Sequence, residues 1–468
     1  MRVKFLYAFM AALVLCSSAM AVDFAEGPAD SITMPPGNRV SQTMLAGDKL
    51  VTFRSWLDIP YVKNPVEPEY QKLNIYIPEE YFHEDGTING YTAETAPILM
   101  PNGVGGYMPG KQFIPANDTR HGTPNVALYA LSKGYVVITP AIRGRTLENG
   151  KAPALIVDYK AAVRWVRHNK DKLPAGDTDK IISDGLSAGG ALSSLLGATG
   201  NAKEYEPYLE AIGAEKERDD IFASVVYCPI TDLEHADMPY EWIFNGVNTY
   251  HMGPAREMDD NMKAASDALK AAFPDYLNSL NIDGYELDED GDGTFKEYIE
   301  SLYIAAAQKA LDAGENVLGL DWVEVEDGKV TGVDLEEYAV WATRMKAAPA
   351  FDSLNMKSFE NNEFGDKHFT EYAFNHSTAE KPAMADEEVI KLLNPLNFIG
   401  KEGVTTAEYW RIRHGVKDRD TSLAVPAILA LKLIDEGYEA DIAAVWNVPH
   451  DGNYDLPELF EWLDSICK

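Results

Sequence analysis

The chain has 468 residues, a formal net charge of −33 and 46% hydrophobic residue types. This length favours a large domain carrying an insertion, or two domains, and the negative charge argues against nucleic acid or anionic lipid as a partner. Three cysteines exclude a disulfide framework, and the lack of CxxC, HExxH and GxxxxGK(S/T) patterns excludes the common zinc and nucleotide-phosphate motifs.

Residues 1–21 have the layout of a bacterial secretory signal. Arg2 and Lys4 precede an apolar run over 5–15, and small residues follow, so we expect cleavage after Ala21. The run is shorter than the roughly 20 residues that a spanning helix needs, which disfavours a membrane anchor. The sequence predicts a secreted or periplasmic protein with no membrane association in its mature form.

Short apolar runs rich in β-branched residues alternate with helical patterns in the first half of the chain. Between two of these runs, Ile156, Tyr159, Val163 and Val166 have the spacing of a helix with one apolar face. Such alternation predicts an α/β fold with a mostly parallel sheet covered by helices on both faces. The predicted strands lie within 96–102, 134–144, 180–185 and 222–230.

From 231 to 390 the pattern changes to acidic, alanine-rich helical stretches with few strand-like runs. Strand patterns return in "EYWRIRHG" and "DIAAVWNVPH", separated by an apolar helical stretch. A helical block inside a regular α/β chain is typical of a lid. We predict a catalytic domain built from 22–230 and 391–468, with 231–390 as a mainly helical lid domain.

The stretch "GLSAGG" at 185–190 fits the pattern G-x-S-x-G. A predicted strand precedes it and a helix of small residues follows, which is the setting of a nucleophile elbow in the α/β-hydrolase fold. The glycines leave room for a sharp turn that projects Ser187 above the sheet. The alternative is a chance match in a glycine-rich loop, and the flanking pattern favours Ser187 as the nucleophile.

A serine nucleophile needs a histidine to take its proton and a carboxylate to orient that histidine. In this fold the order is Ser, acid, His, and His450 is the histidine that follows both aspartates of "RHGVKDRDTS". Asp418 and Asp420 can face one pocket because they are two residues apart in an extended segment. We assign Asp418 to His450 and Asp420 to the substrate. The alternatives are a surface-loop role for His450 and a loop-ordering contact for Asp420.

The negative charge of a tetrahedral intermediate needs backbone N–H donors. Ala188, directly after the nucleophile, supplies one donor. The glycine-rich stretch "PNGVGGYMPG" after the first predicted strand can bring a second donor close, from Gly105 or Gly106. A plain turn is the competing interpretation of these glycines.

With these features in place, the chain resembles the bacterial tannases, which are tannin acyl hydrolases of the α/β-hydrolase superfamily. The likeness runs from about residue 50 to the C-terminus. It implies a triad of Ser187, Asp418 and His450. The matching motifs, in chain order, are "TAPILMPNGVGGYMPG", "AIRGR", "GLSAGG", "YCPITDLEHADMPYEW", "TRMKAAPAFD", "ENNEFGD", "HFT", "WRIRHGVKDRDTS" and "PHDGNYDL".

The resemblance further implies a gallate site, in which Asp420, Lys346 and Glu360 bind the three ring hydroxyls. Periodicity alone makes Lys346 a solvated helix residue and Glu360 a loop residue. Both belong to the inserted block, so the resemblance implies that the lid closes over the ring.

The chain departs from fungal tannases, which place cysteines beside the catalytic serine and histidine. Leu186 and Asp451 stand at those positions, so a disulfide-linked triad is not expected. Signal removal leaves Cys228 and Cys467, and the sequence leaves open whether they pair.

The acidic stretch "DEDGDGTFKEYIE" at 288–300 opens like a calcium-binding loop. Ile299 holds the twelfth position, where a bidentate glutamate belongs, and Glu300 comes one residue late. A structural calcium ion in the lid and a merely acidic turn are the two interpretations, and catalysis is expected to need no cofactor. The candidate ligands are Asp288, Asp290, Asp292, Thr294 and Glu300.

Together with the resemblance, the sequence predicts a secreted serine esterase that hydrolyses galloyl esters through an acyl-enzyme on Ser187, and it leaves open whether depside bonds are cleaved as well. A feruloyl or general phenolic carboxylesterase would keep the same triad. A calcium-dependent surface or carbohydrate-binding protein would make Ser187 incidental. The expected partner is a small galloyl ester.

Overall fold

The computed structural model describes residues 39–118 and 122–468, so the predicted secretory signal lies outside the described residues. The strands are β1 (Arg39–Ala46), β2 (Lys49–Pro60), β3 (Lys72–Pro78), β4 (Pro97–Pro101), β5 (Asn117–Asp118), β6 (Thr123–Pro124), β7 (Val136–Pro140), β8 (Asp177–Leu186), β9 (Ala223–Tyr227), β10 (Thr249–Tyr250), β11 (Arg256–Glu257), β12 (Val323–Glu326), β13 (Lys329–Val333), β14 (Tyr409–Gly415) and β15 (Glu439–Val445). The α-helices are α1 (Val126–Ser132), α2 (Ala154–His168), α3 (Ala188–Ala198), α4 (Glu206–Ala211), α5 (Asp237–Phe244), α6 (Asp260–Ser279), α7 (Thr294–Asp312), α8 (Leu335–Ala342), α9 (Phe359–Glu363), α10 (Glu371–Asn375), α11 (Glu387–Leu392), α12 (Ala424–Asp435) and α13 (Leu456–Cys467).

A nine-stranded sheet forms the centre of the fold, in the order β1-β2-β3-β7-β4-β8-β9-β14-β15. Every pairing from β7 across to β15 is parallel, which confirms the mostly parallel sheet. Strands β4, β7 and β9 are buried at every residue, as expected where helices cover both faces of a parallel sheet. Because β8, β9, β14 and β15 run parallel, their carboxyl ends meet at one edge, where loops can bring side chains together.

An antiparallel meander that the sequence analysis did not identify extends the sheet. Strands β1 and β2 form a hairpin that pairs through β3 with β7. The turn between them needs a positive φ, which Gly47 supplies at 65°. Strand β2 alternates buried and partly exposed residues over part of its length, as expected where one side faces solvent.

Helix α2, predicted to have one apolar face, is buried along nearly its whole length. Its charged residues are buried through ion pairs, since a buried charge without a partner is costly. Asp158 lies 2.8 Å from Arg143, Lys160 lies 2.7 Å from Asp219, and Arg164 also lies 2.7 Å from Asp219. These ion-pair partners lie outside α2, so the spacing of its apolar residues could not show that its polar side is also buried.

Between β9 and β14 the described chain contributes no strand to the nine-stranded sheet. It holds helices α5 to α11 and two short hairpins, packed around aromatic side chains. Tyr240 and Tyr338 of this segment donate hydrogen bonds, each 2.9 Å, to the carbonyls of Arg419 and Val416 in the loop after β14. The boundaries of a separate lid domain stay a prediction. Among the described residues, no helix combines the length and apolar character needed to cross a membrane.

Candidate active site

Ser187 stands in the one-residue turn between β8 and α3. Its φ of 60° and ψ of −124° are rare for a residue with a side chain, and strained geometry of this kind is typical of a nucleophile elbow. A Cβ at Gly185 would lie 2.1 Å from the Gly189 carbonyl oxygen, and one at Gly189 would lie 2.6 Å from that of Val104. Only glycines fit at these two positions, which explains the "GLSAGG" pattern.

His450 and Asp418 contact each other directly. Nδ1 of His450 lies 2.8 Å from Oδ2 of Asp418, a buried carboxylate whose Oδ1 accepts from the Asp420 backbone N–H at 2.9 Å. Burial opposes ionisation of Asp418, but His450 and His414 outweigh it and lower its pKa. Burial likewise opposes protonation of His450, but the Asp418 charge outweighs it and raises the pKa of the imidazole. This pair holds the histidine with Nε2 free to take a proton.

The loop that carries His450 runs along the elbow that carries Ser187. Asn453 donates from Nδ2 to Asp184 Oδ1 on β8 at 3.0 Å, and a Cβ at Gly452 would lie 3.2 Å from the Leu186 Cβ. The structure therefore brings the three predicted triad residues to the same edge of the sheet.

Asp420 has the cationic partner that two neighbouring aspartates need. Lys346 Nζ lies 3.0 Å from Asp420 Oδ1, and His450 Nε2 lies 3.9 Å from the same oxygen. Lys346 is only 7% exposed and Glu360 only 5% exposed, so neither has the solvated position that periodicity suggests. Burial opposes protonation of Lys346, but the charges of Asp420 and Glu360 outweigh it and raise its pKa. A carboxylate, an ammonium and a second carboxylate thus lie together beside the predicted catalytic histidine.

A polar network behind Glu360 explains its fixed position. Glu360 lies on α9, whose first turn is closed by a capping box between Ser358 and Asn361. Asn361 Nδ2 also donates to Asp352 Oδ1 at 2.7 Å, and His368 Nδ1 lies 2.7 Å from the same oxygen. The second oxygen of Asp352 accepts two backbone N–H bonds of 2.8 Å and a threonine hydroxyl at 2.9 Å. Asp352 is fully buried and holds the segments around α9 together.

We expect Asp352→Ala to lower the free energy of unfolding by about 3 to 5 kcal/mol, because several buried donors lose their acceptor. Urea denaturation of both proteins measures the change. Asp321→Ala, at an exposed aspartate of the same inserted segment, is the matched control and should change little. A loss below about 1 kcal/mol for Asp352→Ala would contradict this function of the carboxylate.

The glycine-rich loop after β4 passes over the start of α3. Met108 N donates to the Gly105 carbonyl at 3.0 Å, and Gly106 and Tyr107 have φ values of 52° and 57°, so the loop contains a tight turn. Ala188 is the first residue of α3, where N–H groups have no intrahelical acceptor. The turn and the proposed oxyanion function are compatible, and Gly105 faces open space. The N–H donors from Gly105 or Gly106 stay a prediction.

The acidic stretch predicted to bind calcium begins in the loop between α6 and α7 and continues into the first turns of α7. The backbone N–H groups of Asp290 and Asp292 each donate to Asp288 Oδ1 at 3.0 Å. Thr294 is the first residue of α7, and Glu300 lies further along that helix. The calcium site stays a prediction. In the described part of the chain, side chains able to ligate a metal converge within 4.8 Å in one group of three, which is Cys228, Asp418 and His450.

Two residues near the site were missed by the sequence analysis. Cys228 follows β9 and contacts Asp418. Cys228 and Cys467 are both free, buried thiols, so they do not pair. Arg145 follows β7 in the motif "AIRGR", and its side chain contacts the glycine-rich loop. The signal for Arg145 was its place after a predicted strand, since such segments reach the same edge of the sheet.

Comparison with known proteins adds independent evidence. A family model described as BD-FAE, an α/β-hydrolase family, matches residues 104–276. Over 102 residues the chain is 35% identical to an esterase, LipC, of Mycobacterium tuberculosis, an alignment that spans 21% of this chain and 25% of that protein.

Solved structures match over nearly the whole chain. A tannase of Fusobacterium nucleatum is 44% identical with a TM-score of 0.88, covering 94% of this chain and 100% of that one. A tannase of Lactobacillus plantarum is 42% identical with a TM-score of 0.87, covering 92% and 98%. A tannin acyl hydrolase in complex with ethyl gallate is 44% identical with a TM-score of 0.87, covering 92% and 97%. The chain therefore belongs to the bacterial tannase family of carboxylic ester hydrolases, within the α/β-hydrolase fold.

Proposed function

We propose that this chain hydrolyses galloyl esters to gallic acid and an alcohol, through an acyl-enzyme formed on Ser187. The observation that carries the proposal is the trio of Asp420, Lys346 and Glu360 beside His450, in which Lys346 and Glu360 are buried and Asp420 is partly exposed. Tannases of the same family, including one in complex with ethyl gallate, support it.

The first half of the reaction forms the acyl-enzyme. His450 Nε2 takes the proton of the Ser187 hydroxyl while its oxygen attacks the ester carbonyl carbon. The carbonyl oxygen becomes an oxyanion, which the backbone N–H of Ala188 and one from Gly105 or Gly106 stabilise. When the intermediate collapses, the bond to the alcohol oxygen breaks and His450 gives its proton to that oxygen.

The second half releases the acid. A water molecule gives a proton to His450 and attacks the acyl carbon, and the bond to the Ser187 oxygen then breaks. His450 returns the proton to Ser187. Asp418 remains ionised throughout and stabilises the imidazolium in both halves, since its pKa is held well below the ordinary value.

The trio suits a ring with three adjacent hydroxyls. The carboxylates of Asp420 and Glu360 can accept hydroxyl protons, and the Lys346 ammonium can donate to a hydroxyl oxygen. Hydrogen bonds to charged groups contribute about 1.5 to 3 kcal/mol each. A ring without hydroxyls leaves these buried charges without ligand partners, which penalises it further.

Secretion and depside cleavage are parts of the same proposal. The signal-like residues 1–21 support export to the periplasm or beyond the cell. A depside is a galloyl ester of a phenol, so its acyl half offers the trio the same hydroxylated ring. Its phenolate leaves more readily than an alkoxide, so the steps at Ser187 are unchanged.

The proposal is tested by comparing methyl gallate with methyl benzoate and methyl ferulate. We expect kcat/KM for methyl gallate to exceed that for methyl benzoate by at least about 10³-fold. Equal values for gallate and benzoate would refute the ring site, and a preference for ferulate would establish a feruloyl esterase instead.

Lys346→Met should lower kcat/KM for methyl gallate by about 10 to 100-fold more than for methyl benzoate, because both esters lose the charge beside Asp420 and His450 but only the galloyl ring loses a hydrogen bond to the ammonium. Lys309→Met, at an exposed lysine of the inserted segment, is the matched control. An equal loss with both esters would show that Lys346 does not recognise ring hydroxyls.

A further inference from the structure

Arg145 joins the glycine-rich loop to the helix that carries Glu360. Its Nε donates to the Gly106 carbonyl at 2.6 Å, and its Nη1 donates to Asn362 Oδ1 on α9 at 3.1 Å. The guanidinium carbon lies 4.3 Å from the ring centre of Phe359, the first residue of α9. One planar group therefore contacts the loop and the helix at the same time.

Other contacts close the same junction. A Cβ at Gly106 would lie 3.3 Å from Phe359 Cδ2, so α9 packs directly on the loop. Lys151 Nζ donates to the Arg145 carbonyl, and to the Asn362 carbonyl at 2.8 Å. Arg145 N donates to the Tyr107 carbonyl at 2.8 Å. The Arg145 backbone is thus fixed from both sides, and its side chain cannot move without breaking several bonds.

A buried carboxyl group close to this junction accepts no hydrogen bond from Arg145. Glu363, on the same helix, is fully buried, and neither of its oxygens has a hydrogen-bond partner. Burial raises its pKa well above the ordinary value, although Lys151 and Arg145 oppose this. The Arg145 guanidinium therefore donates its hydrogen bonds to the Gly106 carbonyl oxygen and the Asn362 amide oxygen, and it fixes the positions of both.

The glycine-rich loop and α9 are expected to contact opposite ends of one rigid group, the galloyl ester. In a galloyl ester the carbonyl is conjugated with the ring, so the distance from the ring hydroxyls to the carbonyl oxygen is nearly constant. The loop carries the predicted oxyanion donor, and α9 carries a carboxylate for a ring hydroxyl. A relative displacement of about 1 Å can cost about 10²-fold in rate.

We propose that Arg145 is a positioning residue that fixes the oxyanion loop relative to the galloyl-ring site, so that binding of the ring aligns the carbonyl for attack. This inference rests on the proposed function. Arginine suits the task because its planar fork donates in two directions while it stacks on an aromatic ring, and lysine does not.

A double-mutant cycle tests the proposal with Arg145→Ala, Glu360→Gln and the combined variant. We expect Arg145→Ala alone to lower kcat for methyl gallate by about 10 to 100-fold, with a smaller change in KM. In the Glu360→Gln background the same change should cost less than about 3-fold, because the ring is no longer anchored there. Hydrolysis of methyl benzoate should also be affected less than that of methyl gallate.

Additive effects of the two substitutions, or equal losses of activity with both esters, would overturn the proposal. Arg145 would then stabilise the glycine-rich loop without fixing it relative to the galloyl-ring site. Arg145→Lys repeats the cycle if the alanine variant does not fold, and its loss should match that of alanine rather than the wild type. Arg218→Ala, at an arginine 45% exposed, is the matched control. A wild type without preference for methyl gallate would refute the proposed function before any Arg145 variant is compared.

Discussion

Ser187→Ala is expected to lower kcat for methyl gallate by about 10⁶-fold, which is the scale seen when a triad nucleophile is removed. Ser187 is the residue of the elbow whose side chain can attack an ester at the edge of the sheet, since glycines must stand at 185 and 189. The substitution removes one hydroxyl and leaves the trio around Lys346 in place. Gallate should therefore still bind, with a Kd within a few-fold of the wild-type value.

The measurement combines initial rates with calorimetric titration of gallate. Ser465→Ala, at an exposed helical serine, controls for the loss of a hydroxyl elsewhere. A serine-reactive phosphonate should label the wild type and the control but not Ser187→Ala. Retained turnover or retained labelling in the Ser187→Ala protein would remove Ser187 from the mechanism.

Asp418→Asn should lower the maximal rate by about 10⁴-fold, since the amide can no longer stabilise the imidazolium or enforce the productive tautomer of His450. The pH dependence should change as well. In the wild type we expect kcat/KM to fall as the pH falls through the pKa of His450, because a general base must be neutral. The Asp418 charge raises that pKa, so we expect the acidic limb above the usual histidine value of 6.5.

Without the Asp418 charge, burial lowers the pKa of His450, and the acidic limb should move to lower pH. Profiles of kcat/KM against pH for both proteins measure the shift. Asp171→Asn, at an exposed aspartate, should leave the limb unchanged. A limb that stays in place or moves to higher pH in Asp418→Asn would show that Asp418 does not set the basicity of His450.

The sequence was informative where local geometry demands particular residues. The elbow needs glycines at fixed offsets from Ser187, and the order of the fold leaves His450 after the two aspartates. The spacing of Asp418 and Asp420 placed both carboxylates at one pocket, and the structure shows Lys346 3.0 Å from Asp420. The alternation of strands and helices likewise gave the parallel part of the sheet.

The burial of Lys346 and Glu360 could not be derived from periodicity. Contacts distant in sequence bury them, such as the ion pair of 2.6 Å between Arg344 and Glu241 just before Lys346. Asp352 precedes α9 in the sequence, and it accepts hydrogen bonds from Asn361 within the helix and from Phe369 after it. Only the family resemblance indicated Lys346 and Glu360, because the local sequence pattern of an inserted segment does not show which residues it packs against.

The failure to predict strands β1, β2 and β3 has a different cause. The β1–β2 hairpin has a recognisable signal, a glycine followed by an aspartate between alternating residues, with Gly47 at a φ of 65°. Uniformly apolar runs are typical of parallel strands buried on both faces. An antiparallel extension exposed on one side alternates apolar and polar residues instead, so uniform apolarity does not indicate such strands.

The proposed active site holds the galloyl ring in the trio and the ester carbonyl over Ser187. A crystal structure of Ser187→Ala with methyl gallate tests it most directly. We expect ring hydroxyls within hydrogen-bond distance of Asp420, Lys346 and Glu360, with the carbonyl carbon in contact with the new methyl group at position 187. Density for the ligand at another place, or with its hydroxyls directed to solvent, would contradict it.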